Sequence, residues 1–75
     1  MDSVDVLIHL NDQINDEERT HLVNDLKNLN GVIAPRFNQT REHLLLVSYK
    51  SDTINSLTLL NEIKGKGYKA QLVGL

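Results

Sequence analysis

Residues 10–25 read LNDQINDEERTHLVND, and two hydrophobic periods meet inside them. Upstream, Val4, Val6, Ile8 and Leu10 alternate with Asp5, Leu7, His9 and Asn11. A period of two is that of a strand with one buried face, and Leu7 makes its other face only partly polar. Downstream, Leu22, Leu26 and Leu29, with Val23 beside them, fall at helical spacing. Between the two periods a helix must start. Asn15, followed three residues later by Glu18, has the form of a reciprocal cap. The Asn side chain accepts from a backbone N–H one turn in, and the Glu reaches back to the cap's own N–H. Ser or Thr is the usual first residue, so this is a weaker form of the box. Asp16, Glu17 and Glu18 add three carboxylates at the positive end of the helix dipole, each worth roughly 0.3–1 kcal/mol on an exposed surface. The spacing predicts a helix from Asn15 to about Leu29, stopped by Asn30-Gly31, with Gly31 in the left-handed position after the C-terminus.

Working outward, Val32–Phe37 reads as a second strand interrupted by Pro35. Proline cannot donate to a ladder, so this strand belongs at an edge or carries a bulge. Residues 38–41 form a polar turn. Glu42–Lys50 is the third strand, apolar on both faces through Leu44-Leu45-Leu46-Val47 and therefore central. Ser51, Asp52 and Thr53 are candidate caps for a second helix carrying Ile54, Leu57, Leu60 and Ile63, with Leu59 to one side. Gly65 and Gly67 bracket its end. Tyr68, Ala70 and Leu72 alternate with Lys69 and Gln71 as a fourth strand reaching Leu75. Strand, helix, strand, strand, helix, strand with right-handed crossovers gives a ferredoxin-like βαββαβ sandwich of the α+β class. It has a four-stranded antiparallel sheet in the order 4-1-3-2 and two helices on one face. The 11–15 loop, the 38–42 turn and the 64–68 loop then share one end, where a site is expected.

The chain has 75 residues, a net charge of −2 and no cysteine. That length supports a single domain, 1–75, burying about 60% of its unfolded surface. The lack of cysteine excludes a disulfide framework, a thiolate metal site and a thiol nucleophile. Interspersed charge argues against a phosphate-backbone binder. No apolar run approaches the ~18 residues of a membrane span, and Met1-Asp2-Ser3 is no basic signal-peptide start. The expectation is a soluble, cytoplasmic protein without membrane insertion.

Three segments together resemble the heavy-metal-associated domain, the small metallochaperone fold. They are Leu29-Asn30-Gly31-Val32, Leu45-x-Val47-x-Tyr49 and Ile63-Lys64-Gly65-Lys66-Gly67-Tyr68-Lys69-Ala70, the last close to the family's I-x-x-x-G-Y-x-A run. The resemblance covers nearly the whole chain. Counting back from Gly31-Val32 without gaps puts the family's Met-x-Cys-x-x-Cys on Gln13, Asn15 and Glu18. Both cysteine positions thus hold capping residues. Soft thiolates select Cu(I), whereas Asn and Glu offer hard oxygen, so the implied fold carries over and thiolate metal carriage does not. The family also places an aromatic or a lysine beside the metal loop, a position that Tyr68 matches, with Lys66 nearby. Tyr68 equally reads as a plug for the end of the core.

Other chemistry is sparse. His9, His21 and His43 lack the local spacing of a metal site, but pairing of strands one and three could bring His9 and His43 near each other on the face away from the helices. Paired carboxylates occur only at the junction, with no desolvated pocket implied. Gly65-Lys66-Gly67 ends a helix rather than starting one, so it does not form a phosphate cradle. Phe37, Tyr49 and Tyr68 are the only aromatics, too few for stacking bases on the sheet. The reading is a non-enzymatic interaction module without a cofactor, presenting Gln13, Asn15, Glu18, Lys66 and Tyr68 to another protein and not to nucleic acid. A weak homodimer would use the 68–75 strand edge or the apolar Leu7, Leu44 and Leu46 on the open sheet face. The alternative is a metal-ion binding or transport accessory protein using the hard ligands Asp12, Asn15, Asp16 and Glu18 or the histidines His9 and His43. A third reading is a ligand-binding regulatory domain.

Overall fold

In the computed structural model, which describes residues 3–73, strand β1 (Ser3–Leu10) has the anticipated alternation. Val6, Ile8 and Leu10 are buried, while Leu7 and His9 are half-exposed on the opposite face. The chain continues as α1 (Asp16–Lys27), β2 (Val32–Phe37), β3 (Leu44–Lys50), α2 (Ser56–Gly65) and β4 (Ala70–Val73). The antiparallel sheet runs β2-β3-β1-β4, which from the other edge is 4-1-3-2. Leu22 and Leu26 of α1 and Leu59, Leu60 and Ile63 of α2 join one core with the inner faces of β1 and β3. The β2 edge carries both features that proline demands: it lies outermost, and its register shifts between Val32 and Ala34.

Several boundaries move, each for a local reason. Helix α1 ends at Lys27 rather than Leu29, with the Asn28 N–H donating to the Asp25 carbonyl and the Leu29 N–H to the Leu26 carbonyl. The chain must turn early enough for Val32 to meet Tyr49 in the ladder. Gly31 does take a left-handed φ of +98°, but beyond that turn rather than directly at the helix end. Ser51, Asp52 and Thr53 do not cap α2. They form a turn in which the Thr53 and Ile54 N–H groups donate to the Lys50 carbonyl, and Asn55 is the cap, accepting from the Thr58 N–H at 2.8 Å. The buried face of α2 is therefore Leu59, Leu60 and Ile63, whereas Leu57 is 59% exposed.

Strand β3 begins at Leu44, not Glu42. The Asn38 side chain accepts from Thr40 N–H, Arg41 N–H and the Thr40 hydroxyl. This tightens the turn so that the ladder closes between Asn38 and Leu44, which leaves Glu42 and His43 in the turn. Tyr68 and Lys69 precede β4, with Lys69 held instead against Asn11 and Asp12. Gly74 and Leu75, the end of the proposed 68–75 edge, lie outside the described residues. On the open face, the register aligns Arg36, Leu46, Leu7 and Val73 in one row across the four strands. Leu44 stands opposite His9 in the next row but one along β3 and β1.

Candidate functional site

The shared end of the fold is built from backbone ties first. The Leu10 N–H donates to the His43 carbonyl at 2.8 Å, and the Asn11 N–H donates to the Lys69 carbonyl at 2.7 Å. The Asp12 carboxylate accepts from the Lys69 N–H at 2.9 Å. These ties fix the 11–15 loop against both flanking connections. Asn15 then sits in extended backbone (φ −86°, ψ 177°) as the cap of α1. Its side-chain oxygen accepts from the Glu18 N–H at 2.8 Å, and the Glu18 carboxylate accepts from the Asn15 N–H at 3.1 Å. The reciprocal box expected from the sequence is complete.

Arg19 was not foreseen and ties the junction together. Its side chain is only 17% exposed. One guanidinium nitrogen donates to the Ile14 carbonyl at 2.8 Å, and the other pairs with Asp16. Glu42 adds a longer-range contact at 3.8 Å. The Asp16–Arg19 spacing of three was a legible helical ion pair. The Ile14 and Glu42 contacts had no local signal. Gln13, Ile14, Asn15, Glu18, Arg19, Glu42 and His43 line a cavity of about 360 Å³, so Gln13, Asn15 and Glu18 do share one surface.

The other named residues divide. Tyr68 is half-buried against the core and lies within electrostatic reach of the loop. Burial raises its phenol pKa above the ordinary value, Glu18 and Asp25 raise it further, and Lys66 partly offsets them. Lys66 turns to α1, with its ammonium 3.1 Å from Asp25. Asp12 and Asp16 are engaged as described, by Lys69 and by Arg19. The His9 and His43 rings lie 6.0 Å apart, and His21 stands alone on α1 near Glu17. Among the described residues, no three His, Asp or Glu side chains converge as a metal-ion set.

No family model matches the chain, and no curated protein matches it. Solved structures do. Oxidized MerP from Ralstonia metallidurans CH34 superposes with a TM-score of 0.84 at 10% identity, covering 97% of this chain and 100% of that one. A copper binding domain from HMA7, a P-type ATPase, gives 0.82 at 14% identity, over 93% of each chain. The CsoZ metallochaperone gives 0.78 at 24% identity, over 96% and 99%. This chain has the heavy-metal-associated fold. Within that heavy-metal-associated fold, the residues of the junction do not suit a soft metal ion. They offer no sulfur, and the oxygens of Asp12, Asn15, Asp16 and Glu18 already accept hydrogen bonds or ion pairs from the protein itself. Of the segments that carried the resemblance, Leu45, Val47, Tyr49, Ile63 and Ala70 are buried in the core, while the Lys64–Gly67 turn is exposed.

Proposed function

We propose that the chain is a non-enzymatic heavy-metal-associated module whose thiolate site has been replaced by a self-sufficient helix start, and that it works by contacting another protein. The observation that carries this reading is the complete Asn15–Glu18 box at the two counted cysteine positions. Arg19 strengthens it, because a built-in cation holds the Ile14 carbonyl and the Asp16 carboxylate. The loop is thereby organised without an external ion. Copper binding and metal chaperoning, named for the HMA7 domain and CsoZ, are not carried over to this loop, since hard, engaged oxygens are poor ligands for a soft ion.

The contact surface of this proposal is the polar rim of the junction, with Gln13, Asn15 and Glu18, flanked by Tyr68 and Lys66. A weak self-association through the β4 edge or the open sheet face belongs to the same reading, as does action in the cytoplasm. No helix among the described residues is long and apolar enough to cross a membrane. The test is a titration of the purified chain with Cu(I), Zn(II) and Cd(II), followed residue by residue by NMR. The expected result is no stoichiometric, submicromolar complex and no response centred on Asn15 and Glu18. A tight complex seated there would overturn the reading.

A further inference from the structure

The cap residues leave one pair of good nitrogen ligands unused, on a different part of the same end. His9 projects from the open face of β1, half-buried, and His43 stands in the turn before β3, exposed. The Leu10–His43 backbone hydrogen bond and the pairing of His9 with Leu44 hold the two residues side by side. Their ring centroids lie 6.0 Å apart with the planes tilted by 34°. A cavity of about 430 Å³ opens over both rings, bordered by Thr40, Arg41, Glu42 and Leu44. His9 Nδ1 lies 2.7 Å from the Asn11 side-chain oxygen. With the ring proton on Nδ1, His9 donates to that oxygen and keeps the lone pair of the neutral imidazole on Nε2. A hydrogen bond that fixes the free nitrogen of an imidazole in this way is the usual support of a metal-binding histidine.

From this geometry we propose that His9 and His43 form a two-nitrogen site for a borderline divalent cation. Imidazole ligands of this kind favour Cu(II) over Zn(II). Each ligating nitrogen sits about 2.0–2.1 Å from its ion. Two imidazoles facing each other across one ion have ring centres near the separation already present, so closing the site asks for side-chain rotation rather than backbone movement. Water completes the coordination, since the protein supplies two nitrogens and no third His, Asp or Glu converges on them among the described residues. The Glu42 carboxylate borders the cavity but is drawn towards Arg19. The site is therefore open and weak, in the micromolar range or above. His43 also borders the junction cavity, but the site shares no ligand with the Asn15–Glu18 box, so it does not depend on the reading proposed above.

The experiment is a titration of the whole chain with substoichiometric Cu(II), read by paramagnetic line broadening in amide correlation spectra. Broadening should begin at residues 8–11 and 42–45. His43→Ala, at an exposed turn position, should remove it and weaken binding at least tenfold, with the remaining spectrum unchanged as proof of folding. His21→Ala should leave it intact, which separates the site from the Glu17–His21 pair on α1. Asn11→Ala should weaken binding about tenfold, the lower end of the usual effect of removing such support. Broadening that persists in His43→Ala, that vanishes in His21→Ala or that centres on Asn15 and Glu18 would overturn the proposal. Only the last of these would also count against the reading of the junction.

Discussion

Putting cysteine back at the two counted positions tests the account of the junction most directly. In the Asn15→Cys/Glu18→Cys double variant, the Asn15 oxygen no longer accepts from the Glu18 N–H at 2.8 Å, and the 3.1 Å return bond is lost. Losing an Asn cap costs about 1 kcal/mol, within roughly 0.5–2. The exposed return bond contributes about 0.5–1.5 kcal/mol, and the first-turn charge of Glu18 about 0.3–1 kcal/mol. All three act on the same helical turn and overlap, so the metal-free variant should lose on the order of 2 kcal/mol. At ~4–8 °C per kcal/mol for a domain of this size, the melting temperature falls by roughly 8–16 °C. Arg19, lining the same cavity, favours the thiolate forms of both cysteines. A soft ion at a hundredfold excess over its dissociation constant then returns about 2.7 kcal/mol. The loaded variant should melt at or above the native chain, and the native chain should not respond to the ion. Thermal melts by circular dichroism, with and without Cu(I) or Cd(II) under reducing conditions, read all of this. A metal-free variant as stable as the native chain would refute the role of the box. A variant that binds no ion would refute the counting of positions.

Other outcomes follow from single contacts. Gly31 and Gly67 share a left-handed φ of +98° and +97°, but a Cβ at Gly31 would meet Ile54 Cγ2 and Thr53 Cγ2 at 2.9 Å, whereas one at Gly67 meets nothing within 4 Å. Gly67→Ala should cost about 1–2 kcal/mol from backbone strain alone, and Gly31→Ala about 1–3 kcal/mol more from crowding; equal urea midpoints would contradict this. Arg19→Ala should destabilise by about 1–2 kcal/mol, below the full ~1.5–3 of a charged hydrogen bond because solvent reaches part of the side chain. It should also speed amide exchange at residues 12–16, and unchanged exchange there would remove Arg19 as the organiser of the loop. Tyr68 has a raised pKa in the folded chain, so the fold holds that proton more tightly than the unfolded state does. Its contribution to stability is complete below the ordinary tyrosine value of ~10 and is lost as pH rises through the folded value. Tyr68→Phe should flatten that alkaline loss, and an ultraviolet titration in which Tyr68 ionises at or below the ordinary value would contradict the cause given.

The fold was legible because its signals are local and repeated. Alternation in β1, the flanking positions of Pro35 and the run Ile63–Ala70 each concern residues whose neighbours in sequence decide their burial. The boundaries that moved were set by turn hydrogen bonds that no hydrophobic period announces. Lys50 draws Thr53 and Ile54 into a turn and passes the cap of α2 to Asn55, and Asn38 closes its turn on Leu44 and leaves His43 outside β3. The same limit applied at the site. Asn15 and Glu18 are three residues apart and their box could be read directly, whereas Arg19 with Glu42, or Asp12 with Lys69 across 57 positions, meet only once the chain has folded.

On the reading proposed for the junction, that difference explains how a fold outlasts a site. The residues that carry the family resemblance in the sequence are core or turn residues, constrained by packing that a surface exchange at the junction does not disturb. The positions counted as cysteine lie at the start of a helix, where the backbone leaves N–H groups without intrahelical partners. Any occupant must either satisfy those groups or leave them to water. Cysteine is a weak acceptor and serves a metal better than a cap, while Asn and Glu serve the cap and not a soft metal. One pair of positions therefore trades ion affinity against local stability. A chain released from carrying a soft ion is expected to drift towards oxygen side chains there, with the sheet, the core and both helices unchanged.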